Sequence, residues 1–402
     1  MSLNEISKNI NKIETTKIEK NKFAEFSSPF VLRKDMINSI PTSFWKNPNR
    51  KVLEPCCGKG GFLIDVLSKF MDNLNIPIER RYKHIVEKIL YFGDINKNNV
   101  NICRKILGNY KLNFFIGDAL EQNLSNFDLV IGNPPYNTER KETGNAIYQK
   151  FIKKALEDWI KPGGYLLFVT PNSWRKPTSK HSKNAGMYEL MTQENWMKYL
   201  EIHNQKDAKK IFNAATRYDW YLIKKSKPKN TVILDEKGKT NKINLKNWEW
   251  IPNFNFKLIK KLLAKKNDDK VEILHDTKFD SERKQMSKKK SSKFKYPCIH
   301  STPQKGVVYF YSSQKLENKK PKVIFGNSGV YETVINKKGK YCMTEHAMGI
   351  VDKPQNLERI KKALQSPQMK EILKACLWSN FQIDWKLFTY FKKDFYKMIY
   401  TF

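Results

Sequence analysis

Asn133-Pro134-Pro135-Tyr136 is the stretch of this chain best equipped for chemistry. It follows directly on the run Phe127-Asp128-Leu129-Val130-Ile131-Gly132, which reads as a buried strand that stops abruptly. Neither proline can donate an N–H and each locks its own φ, so the backbone cannot continue a sheet ladder there. What is left is a rigid loop presenting one amide side chain, outward carbonyls and one aromatic ring. Such a loop can grip a planar ring that bears an amino group. That amine is a poor nucleophile, because its lone pair is delocalised into the ring. Asn133 Oδ1 and the Pro134 carbonyl can each accept one of its two N–H bonds. This draws the nitrogen toward tetrahedral geometry and returns density to the lone pair. Tyr136 can stack on the ring. The same four residues also suit a proline-stiffened connection from strand to helix, so their meaning depends on their surroundings.

Those surroundings alternate short apolar strands with helical patterns. Strands are predicted at Lys51–Glu54, Leu90–Asp94, Asn113–Ile116, Phe127–Ile131, Gly164–Thr170 and Asp219–Lys224, and helices at Gly61–Phe70, Asn98–Leu107 and Tyr148–Lys161. The alternation predicts an α/β fold with a parallel, doubly wound sheet. The first strand runs into Glu54-Pro55-Cys56-Cys57-Gly58-Lys59-Gly60-Gly61, where glycines let the backbone turn tightly and approach a ligand. The loop lacks the G-x-G-x-x-G spacing of dinucleotide sites. The second strand ends at Asp94, whose carboxylate can accept both hydroxyls of a ribose. The third ends at Asp118, which can accept from an exocyclic amine, and the fourth at Asn133. Any one of these acids suits a helix cap or a turn. Four polar strand ends in register, on the edge where open α/β sheets bind ligands, are hard to explain that way.

The 402 residues include 75 Lys+Arg against 40 Asp+Glu, a net charge of +35 that favours a polyanionic partner. Nucleic acid fits best. An anionic membrane fits less well, because no apolar run approaches the length of a spanning helix. The segment Met1 to Lys22 is a charged, flexible tail without the apolar core of a secretory signal, which suits an intracellular protein. An aromatic content of 13% argues against general disorder. The six cysteines form no CxxC pair and the six histidines supply no zinc spacing beside them. Reduced thiols and no metal are expected. Arg283 to Lys295 holds seven basic residues and no acid. It reads either as a mobile loop whose Lys288, Lys289, Lys290 and Lys293 follow a phosphate backbone, or as a solvated charge run.

From Phe23 to about Lys266 the series resembles the S-adenosylmethionine-dependent DNA N6-adenine methyltransferases of the gamma arrangement, the Eco57I/TaqI-like type II modification enzymes. Phe26-Ser27-Ser28-Pro29 with Val31, Leu32 and Met36 is similar to the family's N-terminal cofactor helix, with Ser28 where a Thr is usual. Glu54 to Phe62 resembles its first cofactor loop, which implies cofactor contacts from Glu54, Pro55 and Gly58. Asp94 then stands at the ribose, Asp118 at the cofactor adenine, and Asn133 at the edge shared with the methyl donor. Ala146–Phe151 and Gly163–Trp174 resemble the helix and strand that follow the catalytic motif. Ile211-Phe212-Asn213 resembles a later segment whose aromatic residue packs on the target base, opposite Tyr136.

The resemblance implies a Rossmann-like class I methyltransferase sheet over residues 23–266 and a C-terminal α+β target-recognition domain over 267–402. In that second region strands are expected at Val307–Tyr311 and Lys322–Phe325 and a helix over Leu357–Leu377. It further implies S-adenosylmethionine as cofactor and double-stranded DNA as partner, with an extrahelical adenine as target. A separate restriction endonuclease acting on the same site would complete the system. The donor is a sulfonium, so transfer needs in-line positioning more than a strong base. RNA adenine-N6 methylation shares the whole α/β block, and cytosine-N4 enzymes more often carry Ser in place of Asn133. A protein glutamine methyltransferase would meet the same NH₂ geometry, against the basic charge.

Overall fold

The computed structural model describes residues 27–136, 147–178, 182, 184–214, 216–275, 278–317, 319–378 and 382–399. The tail 1–22, Phe26 and Ala146 therefore lie outside the described residues. The chain divides into two compact units, one of residues 1–175 and 179–250, the other of 176–178 and 251–402.

The first unit is built on strands β1 (Val52–Glu54), β2 (Leu90–Asp94), β3 (Asn113–Ile116), β4 (Phe127–Gly132), β5 (Ile160–Pro171), β6 (Trp196–His203), β7 (Tyr218–Lys224), β8 (Thr231–Leu234) and β9 (Thr240–Ile243). They form one sheet in the order β3-β2-β1-β4-β5-β7-β6-β8-β9. The first five strands pair with one another in parallel, and every residue of β4 is buried, as a strand covered on both faces requires. The helices Phe30–Asn38, Gly61–Asn73 and Lys97–Leu107 share one apolar core with β1 and β2. Gly93 of β2 leaves room for the Phe115 ring on the paired strand β3, since a Cβ there would lie 2.2 Å from it. The strand order reverses between β1 and β4, which places the ligand crevice of such a sheet at their carboxyl ends.

Beyond β5 the chain departs from the pure parallel pattern. Strand β7 runs antiparallel between β5 and β6, pairing Tyr218 with Pro171 and with His203. The start of β7 and the end of β6 thus reach the same edge as the ends of β1–β5. Strand β6 was not among the predicted strands because Trp196–His203 mixes charged and apolar residues and shifts register between Met197 and Tyr199. The predicted helix Tyr148–Lys161 is α-helical to Lys154 and continues as one π turn to Trp159. Ile160 already pairs with Phe127, so Pro162-Gly163 becomes an irregularity within β5, with Gly163 at φ +81°, rather than a turn before it.

The second unit holds two four-stranded sheets. One joins β10 (Glu272–Leu274), β17 (Ala347–Val351), β14 (Lys322–Gly326) and β15 (Thr333–Asn336), in that order. The other joins β11 (Met286–Ser287), β13 (Val308–Ser312), β12 (Tyr296–Ser301) and β16 (Cys342–Met343). Ile299, Ile324, Met343 and Ala347 pack together between them. The predicted helix Leu357–Leu377 is two helices, Leu357–Gln365 and Pro367–Ala375, because Pro367 cannot continue the first and Ser366 caps the second through Met369 N. The expectation of six reduced thiols is corrected here: Cys298 and Cys342 form a disulfide. They are 44 residues apart, and only the pairing of β12 with β16 sets them side by side. Among the described residues no helix is long and apolar enough to cross a membrane, and no cluster of three His, Cys, Asp or Glu side chains suits a metal.

Candidate active site

Strand β4 ends at Gly132 with φ +154°, and the chain turns into Asn133. The Asn133 amide donates through Nδ2 to Ser28 Oγ at 3.3 Å. Ser28 is itself anchored, because its carbonyl accepts from Arg33 Nη1. Arg33 Nε in turn donates to Asp65 Oδ2 at 2.6 Å, and both side chains are buried. Gly61 makes room for this guanidinium, since a Cβ there would lie 2.8 Å from Arg33 Cζ. A buried ion pair thus fixes the segment that fixes Asn133. On the other side the Tyr136 hydroxyl is turned into the protein, beside the Asn133 side chain. Burial, together with the nearby Tyr218 and Tyr148 phenols, pushes its ionisation well up, so it stays a neutral phenol. Ile147 N donates to the Tyr136 carbonyl at 3.0 Å and ties the loop to the next helix.

The ends of β1 and β2 are stitched together beside this loop. Asp94 Oδ2 accepts from Gly58 N at 2.9 Å and its Oδ1 from Asn96 N at 2.8 Å, while Cys57 N donates to the Gly93 carbonyl at 2.9 Å. Burial pushes the Asp94 carboxyl up, and the Asn96 and Gly58 amides oppose it. Gly58 and Gly60 take φ of +48° and +85°, a backbone path that favours glycine. Pro55 lies buried in this loop. Glu54 is only 2% exposed, and its Oε2 has no hydrogen-bond partner among the described residues. Burial, with Asp94 and Asp65 nearby, drives its carboxyl well above the ordinary range. Asp118 starts a short 3₁₀ turn and accepts from Leu120 N at 2.9 Å, the local role that an acid at a strand end often takes.

Across the loop, β5 and β7 supply aromatic and charged groups. Tyr218 lies flat on His203, with centroids 4.4 Å apart, and meets Phe212 edge-on at 5.0 Å. Phe212 is half-buried against the core at the end of the helix Gln205–Phe212. His203 is held by Glu201 at 3.1 Å and lies 3.6 Å from Asp207. Behind them Arg175 and Asp219 form a fully buried bidentate pair, with contacts of 2.6 and 3.0 Å. Tyr148 bonds to Ser173, and Gln149 reaches Asn184 at 2.8 Å.

The structure therefore joins Ser28 to Asn133 by a hydrogen bond and sets Tyr136 beside them, with Asp94 bonded to Gly58 alongside. Glu54 underlies Gly132, where a Cβ would lie 3.8 Å from Glu54 Cγ. Phe212 joins this edge through Tyr218 rather than through the sequence motif that holds Asn133. Lys288, Lys289, Lys290 and Lys293 lie in the other unit, exposed on the turn between β11 and β12. Sequence reasoning missed Arg33, Asp65, Arg175 and Asp219. The signal was an acid inside an apolar pattern: Asp65 on the buried face of Gly61–Phe70, and Asp219 within Tyr218–Ile223. Each needs a cation, and the sequence does not say which.

Residues 42–213 match the model of the Eco57I restriction-modification methylase family. The modification methylase CviBIII of Paramecium bursaria Chlorella virus NC1A is 25% identical over 167 residues, which are 39% of this chain and 40% of that protein. The type II restriction enzyme and methyltransferase RM.BcgI of Heyndrickxia coagulans is 27% identical over 146 residues, 34% of this chain and 22% of its own. The chain thus spans well under half the length of these curated relatives. The type IIL restriction-modification enzyme MmeI, solved in complex with DNA, superposes with a TM-score of 0.54 at 11% identity, covering 90% of this chain and 67% of that one. The fold is that of the class I methyltransferases, residues 42–213 are similar to the restriction-modification methylases, and the cofactor of such methylases is S-adenosylmethionine.

Proposed function

We propose that this chain, with its methylase domain over residues 42–213, is a site-specific DNA methyltransferase acting on the N6 amine of an adenine held outside the helix. The observation that carries the reading is Asn133 hydrogen-bonded to Ser28 with Tyr136 beside it, set at the carboxyl ends of β1, β2 and β4 beside Glu54 and Asp94. When bound, S-adenosylmethionine supplies a methyl group on a positively charged sulfur. The residues present fit it: positive-φ glycines allow close backbone approach, and buried Glu54 keeps an unpartnered oxygen. Asp94 would hold the ribose. Ile95, 58% exposed, would offer an apolar plate to the adenine ring, with Asp118 at its edge.

Because Asn133 Nδ2 is engaged with Ser28, the amide orientation is set and Oδ1 is the end offered as acceptor. Together with the Pro134 carbonyl it would take the two N–H bonds of the target amine. Tyr136 and Phe212 would hold the base between them, with stacking of about 1–3 kcal/mol per base against the few kcal/mol that extrusion costs. The lysines at 288, 289, 290 and 293 would contact phosphates, the residues from 251 on would read the target, and the protein would work inside the cell beside a restriction endonuclease. The test is expression in a host free of DNA methylation, followed by single-molecule sequencing of its DNA. Modified adenine within one short motif is the expected result. Unmodified DNA from a host that makes folded protein would refute the reading.

A further inference from the structure

Glu54 lies in a cluster whose charges do not balance. Facing it are Arg33 from the helix Phe30–Asn38, Asp65 from Gly61–Asn73, Asp94 from β2 and Cys103 from Lys97–Leu107. Three buried carboxyls thus share one buried guanidinium. That guanidinium is already committed, with Nε on Asp65 and Nη1 on the Ser28 carbonyl. Asp94 is committed to the amides of Gly58 and Asn96. Glu54 alone is left with a buried oxygen that no described group serves. An ionised carboxylate so placed is strongly disfavoured, and the group answers by keeping its proton until a cation arrives.

We propose that Glu54 is the cation sensor of the cofactor site: it is protonated while the site is empty and gives up that proton when a positively charged cofactor binds beside it. This rests on the cofactor assignment and adds to it a proton count and a preference for charged ligands. The balance is simple. Protein with Glu54 as the acid, plus the cationic cofactor, gives the complex with Glu54 as carboxylate, plus one proton delivered to buffer. Binding that releases a proton strengthens as pH rises, by about tenfold per pH unit, until Glu54 ionises in the empty protein. The raised Glu54 carboxyl puts that window above the ordinary carboxylate range.

The test is titration calorimetry of the full chain with S-adenosylmethionine at one mildly acidic pH, in two buffers of different ionisation enthalpy. The expected result is about one proton released per cofactor bound, falling to none in Glu54→Gln, with affinity lowered on the order of tenfold. S-adenosylhomocysteine separates the two cations of the ligand. Release with both ligands assigns Glu54 to the α-ammonium, and release with S-adenosylmethionine alone assigns it to the sulfonium. Binding of S-adenosylmethionine by the wild type without proton release would overturn the inference while sparing the cofactor assignment. No binding at all would overturn both. The wild-type proton count stands even if Glu54→Gln folds poorly, which its thermal midpoint would reveal.

Discussion

The two halves of the sheet edge around Asn133 are held together in different ways. At the ends of β2 and β3, polar side chains are satisfied by backbone amides close in sequence or on the adjacent loop: Asp94 by Gly58 and Asn96, Asp118 by Leu120. At the ends of β5, β6 and β7 they are satisfied by side chains far along the chain, as in Arg175–Asp219, or by ring contacts such as His203 on Tyr218. A half whose side chains are held by backbone amides of the strand-end loops is written in those short motifs and tolerates a single loss. A half built on long-range side-chain pairs is written nowhere locally, and a single loss leaves a buried group uncompensated.

Substitutions can break or sharpen this contrast. The largest effect is expected for Asp219→Ala, which strands a buried guanidinium and should cost about 3–5 kcal/mol in denaturant unfolding. A loss no larger than that of a surface change would erase the distinction. Next comes Asn133→Ala, on the boundary. It should lower methyl transfer by about 10²–10³-fold while calorimetric affinity for S-adenosylmethionine holds. Near-normal turnover would remove Asn133 from the chemistry. Asp94→Ala belongs to the first half and should weaken cofactor binding by about 1.5–3 kcal/mol with only a small change in unfolding. Unchanged affinity would mean that Asp94 merely ties Gly58 and Asn96. The smallest effect is expected from Phe212→Ala: a weakening of about 1–3 kcal/mol in binding DNA with its target base flipped, with cofactor affinity untouched. A variant that loses cofactor instead would place Phe212 in the wrong half.

The legibility of the site follows the same division. The strands β1 to β5 and the acid or amide at the end of each of β2, β3 and β4 were readable, because two-sided burial makes each strand a short apolar run. Strand β6 was not, since Lys198, Glu201 and His203 interrupt the run, and the helix ending at Lys161 was overextended because Ile160 had been captured by Phe127. Arg33 carried no signal at all: a basic residue on a helix is ordinarily solvated, and only Asp65 on the neighbouring helix and Ser28 at the helix start give it a reason to be inside.

By itself, then, the sequence determined the order of polar groups along the edge of an α/β sheet, the strong positive charge, and the rigid loop that presents Asn133. These depend on residue type and near neighbours. Only the tertiary structure decided that Ser28 orients Asn133, that Tyr136 turns its hydroxyl inward, that Cys298 meets Cys342, and that Glu54 is left with a buried oxygen to spare. Each is a question of which distant group supplies a partner in a place without water. No local pattern encodes that answer, because the cost of burial is settled by whatever the fold brings alongside.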